Sequence, residues 1–491
     1  MKRGILWFAV GFAAAVVLVA GVLPWGLRRI TERELMRYFR DVPLSLPFHA
    51  FTELSIQSFL SYSAPDLAKY ITDETVRRVA GTIEEKYAVH LKTARRGIGS
   101  VDEMAACLGE MGLLAEMRLD ADTVRQALAA IDPAARFVQP RSDHAIYHPA
   151  SPPSGPVRLP AEWEPIGAVL VSWPIYFPAN WKTITGFVRE IVTDADALVL
   201  APNEFWQRAV ELYLGRAGLD LARVRFIRVP IDDVWVRDFG PITVVSPATG
   251  APAFVANPYV IAGQPYYKHD AEAAAEIGRS FGLPIHYLPV IVEGGNILSD
   301  GQGTLMLADS VLLHNPDTPP DKLERIFAQY YGCRRLLLFP RLEGEVTGHI
   351  DVVVKILDED TVMVTGSPKD HKWHHTIEDI AARLAATPSA KGSPYKVIRI
   401  PLPRTDTDFQ EWTYINSLTL NRKVIVPIYG VPEDEEALRI YREAMPGHQI
   451  VGVNYRQYPV GAVHCQSKEV PQAAMDRLMG GTIPAAGKGG E

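Results

Sequence analysis

Cys465 stands in Gly461-Ala462-Val463-His464-Cys465-Gln466, and four polar clusters upstream could build a site around its thiol. They are Trp235-Val236-Arg237-Asp238-Phe239-Gly240-Pro241, Glu293-Gly294-Gly295-Asn296, Gly348-His349-Ile350-Asp351 and Tyr414-Ile415-Asn416. Beside the thiol they supply an imidazole and three carboxylates. That set suits a planar cation attacked at its central carbon. A guanidinium is such a cation, delocalised and charged at neutral pH. Two carboxylates can grip its N–H groups in a fork and fix the face left open; Asp238 and Asp351 are the candidates. A thiolate is the suitable nucleophile, because sulfur stays nucleophilic at a modest pKa; that is Cys465. His349, read as two residues from Asp351 on the same strand face, is the acid that protonates the departing amine and later activates water. Glu293 would orient and charge that imidazole. Asn416 and Trp235 are further candidates for contact with a substrate. The chemistry needs no cofactor and no metal. Gly294-Gly295 is not a dinucleotide fingerprint, because no helix follows it. His371, Lys372, Trp373, His374 and His375 read as a solvated turn before a helix.

The elements that must position these groups recur along the chain. Each polar cluster is followed by two strand-like runs, a helical stretch and another strand-like run. The second unit reads as strands at 242–245 and 253–256, a helix at 271–281 and a strand at 285–290. The third reads as a hairpin of 304–307 and 310–313 across Ala308-Asp309, then a helix at 321–331 and a strand at 335–339. The fourth and fifth repeat the pattern from His349 and from Asn416. A unit that recurs every fifty to sixty residues signals a repeat architecture. Only the first copy, from about residue 168, lacks a clear second leading strand. The segment at Cys465 could supply it and close a ring, with the head of every unit facing a common axis.

Bulk properties set the class. The chain has 491 residues, 47% hydrophobic and 22% charged, which is ordinary globular composition with room for more than one domain. Its net charge of −7 argues against nucleic acid as a partner and suits a cationic substrate. Three cysteines, Cys107, Cys333 and Cys465, form neither a disulfide framework nor a metal pair by spacing. Residues 1–30 hold a charge-free apolar run at 5–22 between Lys2-Arg3 and Arg28-Arg29, read as a signal anchor or signal peptide. An anchor there would hold the chain to a membrane, with the rest outside the cytoplasm. Residues 31–140 read as a small helical region, 141–160 as a Pro-rich linker, 161–478 as the catalytic domain and 479–491 as a flexible tail.

With these residues in hand, the stretch from about 160 to 471 resembles the agmatine deiminase and bacterial (Porphyromonas-type) peptidylarginine deiminase family. The resemblance is carried by Pro160-Ala161-Glu162-Trp163-Glu164-Pro165, the Trp235 to Pro241 run, Glu293-Gly294-Gly295-Asn296, Asp300-Gly301-Gln302-Gly303-Thr304, Gly348-His349-Ile350-Asp351 and His464-Cys465. It implies the pentein fold, a five-bladed pseudosymmetric α/β propeller, and metal-free hydrolysis of a guanidine through a thiouronium on Cys465. The same roles fall on Asp238, Glu293, His349, Asp351 and Cys465, and a substrate contact on Asn416. Two features depart from the family. The usual Gly-Gly-Asn-Ile-His-Cys run is Val460-Gly461-Ala462-Val463-His464-Cys465 here. The stretch 257–269, where the Porphyromonas-type enzyme carries an arginine pair for a peptide carboxylate, contains no arginine. An exported enzyme would meet peptidyl-arginine, giving citrulline, more readily than agmatine, giving N-carbamoylputrescine. A thiol amidohydrolase of another class would need an oxyanion hole rather than two aspartates around the carbon. A non-catalytic guanidine-binding protein could dispense with Cys465 and His349.

Overall fold

The computed structural model describes residue 77 and residues 100–131, 152–175, 180–259, 268–345, 347–404, 412–456 and 462–480. The apolar run at 5–22 and the Tyr266-Tyr267 pair lie outside them. Among the described residues no helix is long and apolar enough to cross a membrane.

Among the described residues sixteen strands are distributed over five sheets. The first holds β1 (Ile166–Ser172), β2 (Asp196–Ala201), β3 (Val224–Arg228) and, from the far end of the chain, β16 (Ser467–Pro471), in the order β16-β1-β2-β3. The second is β4 (Ile242–Val245), β5 (Pro252–Ala256) and β6 (Ile285–Tyr287); the third β7 (Leu298–Ser299), β8 (Thr304–Ala308) and β9 (Arg335–Phe339). The fourth is β10 (Val354–Ile356), β11 (Thr361–Thr365) and β12 (Lys396–Ile400); the fifth β13 (Leu418–Leu420), β14 (Lys423–Ile428) and β15 (Gln449–Asn454).

Each sheet obeys one rule. Its leading pair is antiparallel, as in Ile242↔Val255 or Leu418↔Ile425, and its trailing pair is parallel, as in Phe254↔Ile285 or Val424↔Ile450. A parallel pair cannot be joined by a tight turn, so a crossover helix is required. The sequence supplies one each time: Lys268–Phe281, Pro320–Tyr331, His374–Ala386 and Glu433–Ala444. The helix Pro320–Tyr331 starts on a proline, whose missing N–H costs nothing in a first turn, and stops at Gly332 with φ of 69°. Buried positions on these helices, such as Leu323 and Phe327 or Ile377, Ile380 and Leu384, pack onto the strands.

Two expectations are corrected. Residues 310–313 do not pair with 304–307: Ser310–His314 is a short helix, and β8 pairs antiparallel with Leu298–Ser299 instead. The reason lies at Asn296, whose Oδ1 accepts from Ala308 N and whose Nδ2 donates to Ala308 O and Ser310 Oγ. That clamp ends β8 and turns the chain away. His349 and Asp351 are likewise not on a strand face, since Ile350–Val352 is a 3₁₀ turn with His349 at its N-cap. The first sheet gains its antiparallel partner from β16, which begins two residues after Cys465 and pairs Val169 with Glu469.

Before the sheets come the helices Val101–Glu110, Leu113–Met117 and Ala121–Ala130. Ser100 and Glu103 close a reciprocal capping box on the first of them, and Asp120 caps the third. Their apolar faces, with Cys107, Leu108, Val124 and Leu128 fully buried, join the core around the helix Glu204–Arg216. Arg208 of that helix donates to Leu128 O at 3.2 Å, and Tyr213 Oη donates to Glu116.

Candidate active site

Every predicted site residue lies in the turn that feeds the leading strand of a sheet. Asp238 is in the one-turn helix Val236–Phe239 before β4, and half-buried Trp235 caps it. Glu293 caps the 3₁₀ turn Gly294–Asn296 before β7. His349 and Asp351 straddle the turn before β10, Asn416 precedes β13, and Cys465 precedes β16. The common fold of the five units therefore delivers six chemical groups from five equivalent turns. None of Asp238, Glu293, His349, Asp351, Asn416 and Cys465 is more than 8% exposed.

The structure brings these groups together. His349 Nε2 is 2.7 Å from Glu293 Oε2, which leaves Nδ1 without a hydrogen-bond partner, 3.7 Å from Asp238 Oδ1. Asp238 Oδ1 accepts from Gly295 N at 2.8 Å. Cys465 Sγ is 4.0 Å from Asp351 Oδ2 and accepts from Asn416 Nδ2 at 3.1 Å. Asp351 Oδ1 is buried and unpartnered. Trp235 is tied to this group through its backbone, whose carbonyl accepts from Asp238 N at 2.9 Å. Asn416 spends its amide on the protein: Nδ2 also donates to Asp351 Oδ2 at 3.3 Å, and Oδ1 accepts from the N–H groups of Ala462 and Cys465, both at 3.1 Å. It fixes the nucleophile loop rather than reaching outward.

The electrostatics follow from crowding three carboxylates out of water. Burial pushes the Asp238 carboxyl up to about 6; Glu293 and Asp351 add to this, while His349 and the Gly295 N–H oppose it. Burial alone would neutralise His349, but Asp238, Glu293 and Asp351 outweigh it and hold the imidazole at about 10. Burial also pushes the Cys465 thiol well above its ordinary range, and the charges of Asp351 and Asp238 push it further. The resting site therefore holds a neutral thiol, an imidazolium and an excess of negative charge. Such a site is complementary to a cation.

Sequence reasoning passed over a second set of charges beneath these. Arg237, 4% exposed, grips Glu469 with Nη1 at 2.8 Å and Nη2 at 2.5 Å. Its Nε donates to His464 O, and its backbone N–H to Cys465 O at 3.2 Å. His464 lies between Asp351 and Glu162, and Lys355 holds Glu162 from the other side at 2.7 Å. Glu162 and Arg237 sat in quoted motifs, and His464 adjoined the nucleophile; that adjacency was the available signal. Glu162, His464 and Glu469 place ligand atoms within 4.8 Å of one another. Yet each is already bound to its own neighbour, and Arg237, Lys355 and Lys468 surround them, so the place is a poor fit for a metal cation. The three cysteines are free.

Known proteins are similar to this chain over the same stretch. Residues 158–471 match the family model of the Porphyromonas-type peptidyl-arginine deiminases. A Marinomonas sp. (strain MWYL1) protein named "Putative agmatine deiminase" is 26% identical over 350 residues, covering 64% of this chain and 94% of its own. Solved structures share the fold. The agmatine deiminase of Enterococcus faecalis superposes with a TM-score of 0.56 at 21% identity, over 64% of this chain and 96% of its own. That of C. jejuni gives 0.56 at 20% identity, over 64% and 95%.

Proposed function

The chain belongs to the Porphyromonas-type peptidyl-arginine deiminase family, and on that premise we propose that it hydrolyses a guanidinium to a ureido group and ammonia through Cys465. The observation that carries this reading is the spacing around the buried thiol. Two carboxylates, one with a free oxygen, flank a thiol and an imidazolium whose Nδ1 is free. We read the five sheets as the blades of a pentein propeller, with the turns before β4, β7, β10, β13 and β16 gathered on its axis.

A guanidinium would settle between Asp238 and Asp351 and balance their negative charge. That cation opposes the two charges that hold the thiol neutral, so Cys465 gives its proton to solvent as the guanidinium binds. The Asn416 Nδ2 hydrogen bond steadies the thiolate. Sulfur attacks the central carbon and forms the C–S bond. His349 Nδ1 gives its proton to the departing nitrogen, the C–N bond breaks, and ammonia leaves a thiouronium on Cys465. Neutral His349 then takes a proton from water as its oxygen attacks the same carbon. The C–S bond then breaks, the hydroxyl proton of the intermediate passes to Sγ, and the ureido product leaves with Cys465 again a thiol and His349 again an imidazolium. Glu293 keeps the ring aligned through both steps and draws it back to the cationic form.

Cys465→Ala should abolish ammonia release while leaving the thermal transition in place. Wild-type protein quenched during turnover should carry the amidino adduct on Cys465 by mass spectrometry. Turnover surviving in Cys465→Ala would overturn the reading.

A further inference from the structure

The motif Pro160-Ala161-Glu162-Trp163-Glu164-Pro165 and the histidine beside the nucleophile have no step in the reaction above. One chain of hydrogen bonds ties both to it. The His464 ring is 2% exposed. Its Nδ1 lies 2.7 Å from Asp351 Oδ2 and its Nε2 lies 2.5 Å from Glu162 Oε1. Both neighbours are carboxylate oxygens, which when ionised only accept. The ring satisfies both only with a proton on each nitrogen. Glu162 is itself fixed, because Oε2 accepts from Lys355 Nζ at 2.7 Å and that ammonium also donates to Ser417 O at 2.9 Å. At the other end Asp351 Oδ2 is filled by His464 and by Asn416 Nδ2. Asp351 Oδ1 is left bare in a buried site.

We propose that His464 is a positioning residue for the deimination, an imidazolium clamped between Glu162 and Asp351 that holds Asp351 with Oδ1 alone turned to the guanidinium. The inference rests on the deiminase reading and extends it. The locked carboxylate sets the plane in which the guanidinium lies, and hence the face that Cys465 attacks. A misplacement of about 1 Å at such a point costs on the order of a hundredfold in rate.

Charged groups face the ring from every element around it. Glu162 comes from the segment before β1, Asp351 from the 3₁₀ turn, Lys355 from β10, Arg237 from the helix Val236–Phe239, and Lys468 and Glu469 from β16. Burial and then Arg237 favour the neutral ring; Glu162 and Asp351 outweigh them and hold His464 above the usual imidazole range. Glu162 is the strongest of the charges that favour the imidazolium, so removing it should let the ring titrate within reach of neutral pH.

The test uses the full chain and a guanidine that the wild type hydrolyses. In Glu162→Gln the alkaline limb of kcat/KM should move to lower pH by about one unit or more. In His464→Gln kcat/KM should fall by about 30-fold or more at every pH, with thermal unfolding still cooperative. Protein labelled with ¹⁵N in its histidine rings supplies a readout independent of turnover, with the His464 signals identified by their loss in His464→Gln. At about pH 8 both ring nitrogens should be protonated in the wild type, and only one in Glu162→Gln. A neutral His464 ring in the wild type would overturn the proposal, as would a uniform loss of activity in Glu162→Gln with an unmoved pH profile. Should Glu162→Gln not fold, the wild-type spectrum decides alone. A wild type that releases ammonia from no guanidine would break the deiminase reading instead, and the ring spectrum would still decide the charge of His464.

Discussion

At the scale of single residues the site is set by what it has no room for. A Cβ on Gly295 would lie 2.6 Å from His349 Nδ1, 2.8 Å from Asp238 Oδ1 and 3.0 Å from Asp351 Oδ2. The space over that glycine is where the imidazole and two carboxylates converge. Its N–H meanwhile holds Asp238. Gly295→Ala should therefore cost on the order of a hundredfold in kcat/KM through displacement of these groups, with cooperative unfolding retained. Wild-type activity in that variant would show that the reacting groups lie elsewhere. The carboxylates also set the acid side of the pH profile. Asp238 must be ionised to grip a cation, and its carboxyl in the free protein is held up at about 6. Binding of a guanidine to Cys465→Ala, followed by calorimetry, should weaken about tenfold per pH unit below that value. The stability term has the opposite sign. A carboxyl raised on folding binds its proton more tightly in the folded state, so its contribution is present below about 3.8 and is lost as pH rises through about 6. Acid that weakens binding thus does not, through this group, unfold the protein.

At the scale of elements, the nucleophile is carried by a turn, and turns need anchors. Arg237 and Asn416 provide them from two different units. Asn416 Oδ1 takes the N–H groups of Ala462 and Cys465, and Arg237 binds the carbonyl side of His464 and Cys465 while paired with Glu469. Opening a buried ion pair from one side leaves the other charge stranded, at a cost of about 3–5 kcal/mol. Arg237→Met should lower the unfolding free energy, read by denaturant titration, by about that amount, and Arg237→Met with Glu469→Leu should recover much of it. No recovery in the double variant would show that the pair is not the source. The sequence made the site residues legible because each heads a repeat unit, and the repeat is visible in alternating runs such as those around Asp358-Glu359-Asp360. It misplaced the third unit because Leu298–Ser299 is only two residues long and carries no pattern, whereas 310–313 is apolar enough to pass for a strand. The side-chain clamp of Asn296 decided between them, and no local propensity encodes it. Arg237, Glu162, Lys355 and His464 were hidden for a similar reason. Their partners are remote in sequence, from 113 residues for His464 and Asp351 to 302 for His464 and Glu162.

At the scale of the whole molecule, the question is which guanidine reaches the site. The first sheet is completed by β16, so the run of catalytic units closes on the sheet that opened it, and the helices Val101–Glu110 to Ala121–Ala130 share the core of that sheet. The helical segment is thus part of one body with the catalytic units rather than a loose appendage. We propose that the apolar run 5–22 anchors this body to a membrane with the site outside the cytoplasm, where arginine in peptides is the available guanidine. Lys268, placed at the start of the helix Lys268–Phe281, stands in the stretch that lacks the arginine pair, so a free C-terminal carboxylate should confer no advantage. The expectation is that internal peptidyl-arginine is turned over with a kcat/KM at least equal to that of agmatine, and that blocking the peptide C-terminus changes little. Full-length protein should sediment with membranes and be open to added protease from outside the cell. A preference for agmatine beyond about tenfold, roughly 1.4 kcal/mol of transition-state binding, would reverse the substrate reading. It would leave the chemistry at Cys465 untouched, because Asp238 and Asp351 hold only the guanidinium that the two substrates have in common.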